Sequence, residues 1–433
     1  MKVAFHTLGC KVNQYETEYI KQNFIKANYE IVDFEDFADI YIVNTCTVTN
    51  MADKKSRQMI NRPKKINQDA VVVAIGCYAQ REDGKLDDNL DIDLIIGNTK
   101  KNHVLEVVED FLKNHVRNYL VESMDQTQDY ETMWLADVSE NVRAYIKVQD
   151  GCNQFCAYCI IPYVRGRIRS RPYLDIISEV EQLVEHGFKE VVLTGIHLAS
   201  YQDESNMLID LIEGIHAICG LERVRLGSLE PNLITDEFAS RLGKMSKICA
   251  HFHLSLQSGC DITLEAMNRK YTTAMYMERV NLLRQYFKTP AFTTDIIVGF
   301  PDESDDDFAK TVSFVKSIGF LDVHVFKYSI REGTKAASMT NQIDGMIKDQ
   351  RSKALIRIGK IGHEAYLTGM VGKIYKVLIE EHIEYEDQDY YIGHTENYVK
   401  FYIKTYEFTS KINKIILAKA LYLIEDIMVG AVV

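Results

Sequence analysis

The segment 151–159, which reads GCNQFCAYC, holds three cysteines on one short stretch: Cys152, Cys156 and Cys159. Their C-x3-C-x2-C spacing follows a predicted strand, so the three thiols are expected on one tight loop. Three thiolates in this arrangement can bind three irons of a 4Fe–4S cluster and leave the fourth iron open to a substrate or cofactor. A structural zinc site is the alternative, but it needs a fourth ligand, and no paired Cys or His at zinc spacing lies nearby.

A second set of cysteines lies in the N-terminal part of the chain, where LGC ends at Cys10, NTC at Cys46 and IGC at Cys77. Each follows a predicted parallel strand, and the carboxyl ends of such strands share the edge at which open α/β sheets bind ligands. We therefore predict a second three-cysteine cluster site, with three unrelated core thiols as the alternative. Three further cysteines follow no ligand spacing and are interpreted as ordinary thiols: Cys219, Cys249 and Cys260.

The elements that would position the N-terminal cysteines can be outlined from the apolar pattern. Residues 1–115 alternate short β-rich runs with amphipathic helical stretches. This alternation predicts an α/β fold with a doubly wound parallel sheet covered by helices on both faces. Residues 116–141 are polar and weakly patterned, and we interpret them as a linker.

Residues 142–369 continue the alternation with six candidate strands separated by helical patterns. Six β/α units predict a partial (βα)6 barrel with its functional site at the carboxyl ends of the strands. Residues 370–433 carry short strands such as NYVKFYIK, which predict a small C-terminal antiparallel β-barrel. This last segment is net acidic, because it holds seven Lys and ten Asp or Glu.

The overall composition, 433 residues with 46% hydrophobic and 26% charged, is typical of a soluble globular protein of two or three domains. We expect a cytoplasmic protein with no membrane partner, because no apolar run could span a bilayer and the N-terminus turns polar too early for a signal peptide. Nine cysteines then favour metal binding or catalysis over disulfides. The net charge of −12 argues against nonspecific nucleic-acid binding but allows a local basic patch.

The cysteine loop at the top of the first of six β/α units resembles the radical S-adenosylmethionine (SAM) enzymes. The segments VVLTGIH, HLSLQSG and DIIVGFPDES follow the order of that family's second, fourth and fifth strand motifs. The resemblance implies that SAM binds the open iron held by Cys152, Cys156 and Cys159, the catalytic cysteines, and is cleaved by one electron to a 5′-deoxyadenosyl radical. It also implies a set of SAM-contacting residues: Thr194, Gly195, Ser228, Glu230, Ser255, Gln257, Ile297 and Gly299.

Two cysteine sites followed by a small β-barrel resemble the methylthiotransferases, and this resemblance covers essentially the whole chain. LGCKVNQYETE and GCNQFCAYCIIPYVRGRIRSR are most similar to the branch that converts N6-threonylcarbamoyladenosine at position 37 of tRNA to its 2-methylthio derivative. The resemblance implies two 4Fe–4S clusters, with the sulfur carried at the cluster of Cys10, Cys46 and Cys77. It implies one SAM as methyl donor, another as radical source, and a C-terminal RNA-binding TRAM domain.

The implied partners are tRNA, through its anticodon loop and adenosine 37, a reducing electron donor such as flavodoxin, and a sulfur source. Two related substrates stay open, namely isopentenyladenosine in tRNA and an aspartate of a ribosomal protein. A nonenzymatic iron–sulfur protein that binds RNA or transfers electrons is the alternative from another class. Such a protein would not need the SAM-type strand motifs.

Four arginines follow the cluster loop in YVRGRIRSRPY, and we interpret them as a phosphate clamp for RNA: Arg165, Arg167, Arg169 and Arg171. A solvated basic face or packing beside the SAM site is the alternative. In the C-terminal segment, HTENYVK resembles the core of the family's RNA-binding domain. Asn397 and Tyr398 are therefore expected to recognise RNA by hydrogen bonding and stacking, with ordinary barrel core as the alternative for Tyr398.

Overall fold

The structure, a computed structural model of the chain, describes residues 1–81, 90–124, 129–135, 142–385, 388–404 and 412–433. Within these ranges no helix is both long enough and apolar enough to cross a lipid bilayer. The described residues form three layered units that follow one another along the chain: a parallel sheet, an arc of parallel strands and a closed barrel.

The N-terminal unit is a parallel sheet with helices on both faces. Its strands are β1 (Lys2–Thr7), β2 (Glu30–Val32), β3 (Ile40–Thr45), β4 (Val71–Gly76), β5 (Leu94–Ile96) and β6 (Asn118–Leu120). Its helices are α1 (Lys11–Lys26), α2 (Asn50–Ile60), α3 (Pro63–Ile66), α4 (Cys77–Arg81) and α5 (Val104–Asn114). The strand order is β2-β1-β3-β4-β5-β6, and every neighbouring pair is parallel.

Alternation of side chains along β3 explains why helices cover both faces of this sheet. Ile42 lies in an apolar cluster with Phe24 of α1 and Phe111 of α5. Val43, the next residue, lies in a second cluster with Ile60 of α2 on the opposite face. The predicted α/β arrangement with a parallel sheet between two helical layers is therefore confirmed.

The stretch predicted as a linker is partly structured where it is described. Strand β6 extends the N-terminal sheet, and Met133 and Leu135 are buried in the apolar core of the central unit. The Tyr130 hydroxyl donates a hydrogen bond to the Lys147 carbonyl at 2.8 Å. Residues 125–128 and 136–141 of the predicted linker lie outside the described residues.

The central unit contains nine strands and eight helices. The strands are β7 (Arg143–Asp150), β8 (Arg169–Ser170), β9 (Glu190–Gly195), β10 (Gln202–Asp203), β11 (Asn206–Met207), β12 (Arg223–Leu226), β13 (His251–His253), β14 (Ala291–Val298) and β15 (Asp322–Lys327). The helices are α6 (Ile161–Val164), α7 (Tyr173–Glu185), α8 (Leu208–Ala217), α9 (Asp236–Gly243), α10 (Asp261–Ala266), α11 (Thr273–Tyr286), α12 (Asp305–Ile318) and α13 (Gly345–Thr368).

Six of these strands run parallel and in chain order. β7, β9 and β12 form one sheet, with the short antiparallel β8 at its edge, and β13, β14 and β15 form the next. Two isolated parallel bridges, Val224 to Ile248 and Leu229 to Leu254, join the sheets into one arc. All six predicted strands are present, and their carboxyl ends face one side of the arc.

The C-terminal unit is a closed barrel of β16 (Ile374–Tyr385), β17 (Gln388–Thr395), β18 (Lys400–Lys404), β19 (Ile415–Ile424) and β20 (Ile427–Val432). The order around the barrel is β16-β17-β18-β20-β19, and four neighbouring pairs are antiparallel. The pair β18–β20 is parallel, which differs from the purely antiparallel pairing expected from the sequence. Strand directions cannot alternate all the way around a closed ring of five, so one parallel neighbour is required.

A buried ion cluster fastens this barrel to the central unit. Glu190, at the start of β9, accepts a hydrogen bond from Arg225 Nε at 2.8 Å and lies 3.4 Å from Arg223 Nη1. Arg223 also donates to the His394 carbonyl at 3.0 Å, and Arg225 donates to the Glu396 carbonyl at 3.0 Å. Burial on its own raises the pKa of Glu190, but Arg225 and the other guanidiniums outweigh it and hold this pKa below 4.5.

We predict that Glu190→Gln lowers the free energy of unfolding by about 3–5 kcal/mol at pH 7, because two buried guanidiniums lose their counter-ion. The pKa of Glu190 is lowered in the folded state, so its contribution is present above pH 4.5 and is lost as the pH falls further. Urea unfolding at about pH 7 and about pH 3.5 should show the difference between wild type and variant narrowing at the lower pH.

Glu222→Gln is the matched control, because Glu222 forms an exposed 3.4 Å ion pair with Lys189. Glu222→Gln should lower the free energy of unfolding by less than about 1 kcal/mol at both pH values. The two variants could lose the same free energy of unfolding, or the loss in Glu190→Gln could be independent of pH. Either result would contradict a stabilising role for the ionised Glu190.

Candidate active site

The three N-terminal cysteines come together at the carboxyl edge of the parallel sheet. Cys46 directly follows β3, Cys77 directly follows β4 and opens α4, and Cys10 is the N-cap residue of α1. Gly9 packs against this site with φ +99°, and a Cβ atom there would lie 3.0 Å from the Cys46 Sγ. Burial raises the pKa of Cys10 and raises that of Cys46 to about 12, so these thiols ionise readily only when a metal binds them.

Arg165 reaches from the central unit to these N-terminal thiols. Its Nε donates to the Cys77 Sγ at 3.3 Å, and its Nη2 donates to the Asn13 Oδ1 at 2.6 Å. Its Nη1 lies 3.0 Å from a carboxylate oxygen of Glu16 and 3.0 Å from one of Asp150. The Arg165 side chain is fully buried, so it holds the sheet edge and the cluster loop in one fixed arrangement.

The buried charges around Arg165 are not balanced among themselves. Lys147 Nζ lies 2.7 Å from carboxylate oxygens of both Glu16 and Asp150, and Lys101 forms a further ion pair with Glu16. Arg169 Nη2 also lies 3.4 Å from Asp150, so four buried cations contact the carboxylates of Glu16 and Asp150 beside the N-terminal thiols. Thiolates bound to a metal cluster supply the missing negative charge, so these residues fit an iron–sulfur cluster at this site.

The cysteines of the second site lie on the loop after β7. The backbone N–H of Gln154 donates to the Cys152 Sγ at 3.4 Å, and Arg269 Nη1 donates to the Cys156 Sγ at 3.1 Å. Burial, followed by the neighbouring Cys156 thiol, raises the pKa of Cys159 to about 12. Burial also raises the pKa of Cys152 to about 11. Thiols in this environment ionise readily only when a cation such as iron binds them.

The number of thiols at each site bears on the choice between a cluster and a single zinc ion. Structural zinc takes four protein ligands, whereas each of these sites offers three cysteines. Three thiolates suit a 4Fe–4S cluster that keeps one iron open.

Three of the predicted SAM-contacting residues lie beside the cluster loop. Ser228, Glu230 and Ser255 line a cavity of about 140 Å³ together with the cluster cysteines: Cys152, Cys156 and Cys159. Thr194 and Gly195 line a larger adjacent cavity, which Ser228 also borders. The structure thus brings five predicted residues to two cavities that share Ser228.

The other three predicted SAM-contacting residues do not line either cavity. The N–H of Gln257 donates to the Asp295 carbonyl at 2.9 Å, and the N–H of Ile297 donates to the Gln257 carbonyl at 2.9 Å. The N–H of Gly299 donates to the Glu303 carboxylate at 2.6 Å. These backbone bonds fix the strand ends, and Gly299 has φ +69°, a conformation that favours glycine.

Sequence reasoning missed Arg269, which organises the SAM side of the site. In addition to its contact with Cys156, it forms an ion pair with Glu230 and donates to the Tyr271 hydroxyl at 3.0 Å. Burial and the charge of Arg269 lower the pKa of His197 to about 4, so this histidine is neutral near pH 7. A lone arginine in NRKY carried no spacing signal that could have revealed this role.

The structure buries three of the four arginines that were predicted to form a phosphate clamp. Arg165 and Arg171 are fully buried, and Arg171 is ion-paired with Glu179. Arg169 is also buried, with its guanidinium 3.4 Å from a carboxylate. Arg167 is exposed, and its guanidinium lies 4.6 Å from the centre of an aromatic ring. The sequence showed four arginines, but it did not show that three of them pair with carboxylates inside the protein.

The two residues predicted to contact RNA in the barrel are also more enclosed than expected. Asn397 is buried, and its side-chain amide donates to the Tyr366 hydroxyl at 2.8 Å. The Tyr398 ring stacks against His251 at 5.1 Å and His394 at 5.0 Å, and two guanidiniums lie within 5.2 Å of its centre. Tyr398 borders the larger cavity, but it is not an open stacking surface.

The larger cavity, of about 630 Å³, lies where all three units meet. Cys10 and Lys11 line it from the N-terminal sheet, Thr194 and Ser228 from the central strands, and Tyr398 from the barrel. It shares Ser228 with the cavity at the cluster loop and has Cys10 of the N-terminal site in its lining.

The parallel arc with its three-thiol loop and a second three-thiol site define a radical SAM protein. Residues 146–315 match the Radical SAM superfamily, and residues 2–97 match a family described as Uncharacterized protein family UPF0004. Threonylcarbamoyladenosine tRNA methylthiotransferase MtaB of Bacillus subtilis (strain 168) is 39% identical over 97% of this chain and 94% of the relative. MtaB of Aquifex aeolicus (strain VF5) is 38% identical, over 96% of this chain and 100% of the relative.

The chain belongs to the radical SAM methylthiotransferase family, as its sequence resemblance predicted. A more distant relative, tRNA-2-methylthio-N(6)-dimethylallyladenosine synthase of Opitutus terrae (strain DSM 11246 / JCM 15787 / PB90-1), is 33% identical over 88% of this chain and 87% of the relative. The fold also matches the radical SAM methyltransferase TsrM from Kitasatospora setae, with a TM-score of 0.57 at 14% identity over 78% of this chain and 77% of that one.

We predict that Cys77→Ala reduces the iron content from about eight to about four atoms per chain after anaerobic reconstitution, because one of two 4Fe–4S clusters loses a ligand. Cys156→Ala should give the same iron content and should also abolish cleavage of SAM. Colorimetric iron assays and the production of 5′-deoxyadenosine measure the two effects.

Cys219→Ala is the control, because Cys219 is an exposed thiol outside both sites. It should retain the full iron content and the cleavage of SAM. Full iron in Cys77→Ala would show that the N-terminal thiols do not hold a cluster.

Proposed function

We propose that this protein converts N6-threonylcarbamoyladenosine at position 37 of tRNA to its 2-methylthio derivative, with one SAM as methyl donor and another as radical source. The observation that carries this proposal is the cavity of about 630 Å³ that touches Cys10 on one side and Ser228 on the other. A base inserted there would face the sulfur-carrying site and the radical-forming site together. The names of the relatives with 38–39% identity support the choice of nucleoside.

The chain's own residues position the reacting groups. When bound, the two clusters supply the electron that cleaves SAM and the site that carries sulfur. Arg269 holds Cys156 and Glu230 in place, and Arg165 holds Cys77 against the cluster loop. The target base must leave its stack to enter the cavity, as enzymes that act on bases generally require.

We also propose the finer architecture that this activity implies. The arc of six strands acts as a partial (βα)6 radical SAM barrel, and the C-terminal barrel acts as a TRAM-like RNA-binding domain. The C-terminal segment carries more acidic than basic residues, so hydrogen bonding and shape complementarity must contribute to its binding of tRNA. Of the four clamp arginines, the exposed Arg167 remains our proposed phosphate contact. A cytoplasmic reductant such as flavodoxin and a sulfur source complete the system.

The substrate is tested by nucleoside mass spectrometry of tRNA from a strain that lacks this gene. The 2-methylthio form of threonylcarbamoyladenosine should be absent, and it should return with the wild-type gene but not with Cys152→Ala. If this nucleoside persists while the isopentenyl counterpart disappears, the proposed substrate is wrong. If the reduced, reconstituted protein forms no 5′-deoxyadenosine from SAM, the proposed reaction is wrong.

We predict that Arg167→Ala weakens tRNA binding several-fold and lowers the slope of log K against log salt by about 1, because one phosphate contact is lost. Lys189→Ala is the control, since Lys189 precedes the amino end of β9, at the opposite end of the strands from the site. Filter binding at several salt concentrations measures both. Equal effects in the two variants would refute a specific contact at Arg167.

A further inference from the structure

Lys11 occupies a distinctive position in the wall of the large cavity. It directly follows Cys10, and its ammonium nitrogen lies 5.6 Å from the centre of the Tyr145 ring. Both Lys11 and Tyr145 line the cavity. The positive charge is therefore held beside the N-terminal thiols, on the side of the cavity where sulfur would be delivered.

The carboxylates of the cavity do not neutralise Lys11. Each has a basic partner within 3.9 Å: Asp295 with His253, Asp322 with His324, and Asp426 with Lys360. Among the described residues, no carboxylate oxygen lies within 4.0 Å of the Lys11 ammonium. Lys11 is thus a cation that faces the cavity without a protein counter-ion.

The charges behind this wall add to the positive field. Three guanidiniums, those of Arg143, Arg223 and Arg225, share the two carboxylates of Glu190 and Glu380. On this side of the cavity the guanidiniums therefore outnumber the carboxylates that they contact, in a protein whose net charge is −12. Such a concentrated positive region inside an acidic protein favours an anionic group of the ligand.

The chemistry of adenine indicates which anion reaches Lys11. C2 and C6 flank N1 of adenine, and N6 is bonded to C6, so a substituent on N6 lies on the same edge of the base as C2. When C2 faces Cys10, that substituent can reach Lys11, the next residue, which lines the same cavity.

We infer that Lys11 binds the carboxylate of the threonylcarbamoyl substituent and thereby selects this nucleoside over those with apolar N6 groups. This inference rests on the proposed function. A backbone phosphate of the RNA offers similar charge. The substituent is favoured because Lys11 lies beside Cys10, where the edge of the base must be.

The test uses synthetic anticodon stem-loop RNAs that carry either threonylcarbamoyladenosine or its threoninamide analogue, in which a neutral carboxamide replaces the carboxylate. The reconstituted full-length enzyme and its Lys11→Met, Lys11→Arg and Lys400→Met variants are compared by kcat and KM for the methylthio product. Lys400 is the matched control, because it also lines the cavity and its ammonium lies 5.5 Å from an aromatic ring, that of Tyr402. Iron content is measured for each variant, since Lys11 adjoins a cluster cysteine.

We expect Lys11→Met to lose at least about ten-fold in kcat/KM on the carboxylate RNA, mainly through KM, and at most about two-fold on the carboxamide RNA. Lys11→Arg should recover part of the loss, and Lys400→Met should affect both RNAs alike. Equal losses on the two RNAs in Lys11→Met would overturn the inference and indicate a phosphate contact or a structural role. If Lys400→Met instead abolishes the preference for the carboxylate RNA over the carboxamide RNA, the carboxylate is bound by the barrel and the inference is wrong. A wild-type enzyme inactive on the carboxylate RNA would refute the proposed function itself.

Discussion

The buried carboxylate of Glu16 is the interaction on which the remaining arrangement depends. It lies on α1, the helix that Cys10 caps, and it pairs with Lys101, Lys147 and Arg165 from three different segments of the chain. Removing one partner would leave a charge buried without compensation, which is far more unfavourable than losing an exposed ion pair. The N-terminal sheet and the cluster loop are therefore fixed relative to each other, and with them the two thiol sites.

The interface with the barrel uses the same principle around Glu190. In both places the buried cations outnumber the carboxylates that they contact, and both charge clusters lie beside a candidate functional site. Near Glu16 the surplus faces thiols that bind metal as thiolates, and near Glu190 it faces the cavity that would receive RNA. The same buried charged residues thus hold the units together and set the charge around the site.

The sequence predicted the positions of the cysteines well, because strand topology alone determines that Cys10, Cys46 and Cys77 share an edge. It could not predict that Arg165 is buried, since the carboxylate that pairs with it, Glu16, is 149 residues away in the chain. Arg269 was missed for a similar reason, because Cys156 and Glu230, which it contacts, are 113 and 39 residues away in the chain. The parallel pair in the barrel follows from closure with five strands, and strand patterns do not reveal closure.

The parallel pairing of β20 with β18 has a consequence for biosynthesis. The barrel stays open between β18 and β19 until residues 427–432 have been added, whereas both thiol sites lie in segments that leave the ribosome much earlier. Because domains tend to fold in order of synthesis, metal could be loaded while the barrel side of the cavity is still missing. The barrel strand that carries Lys400 would then close over thiol sites whose segments have already folded.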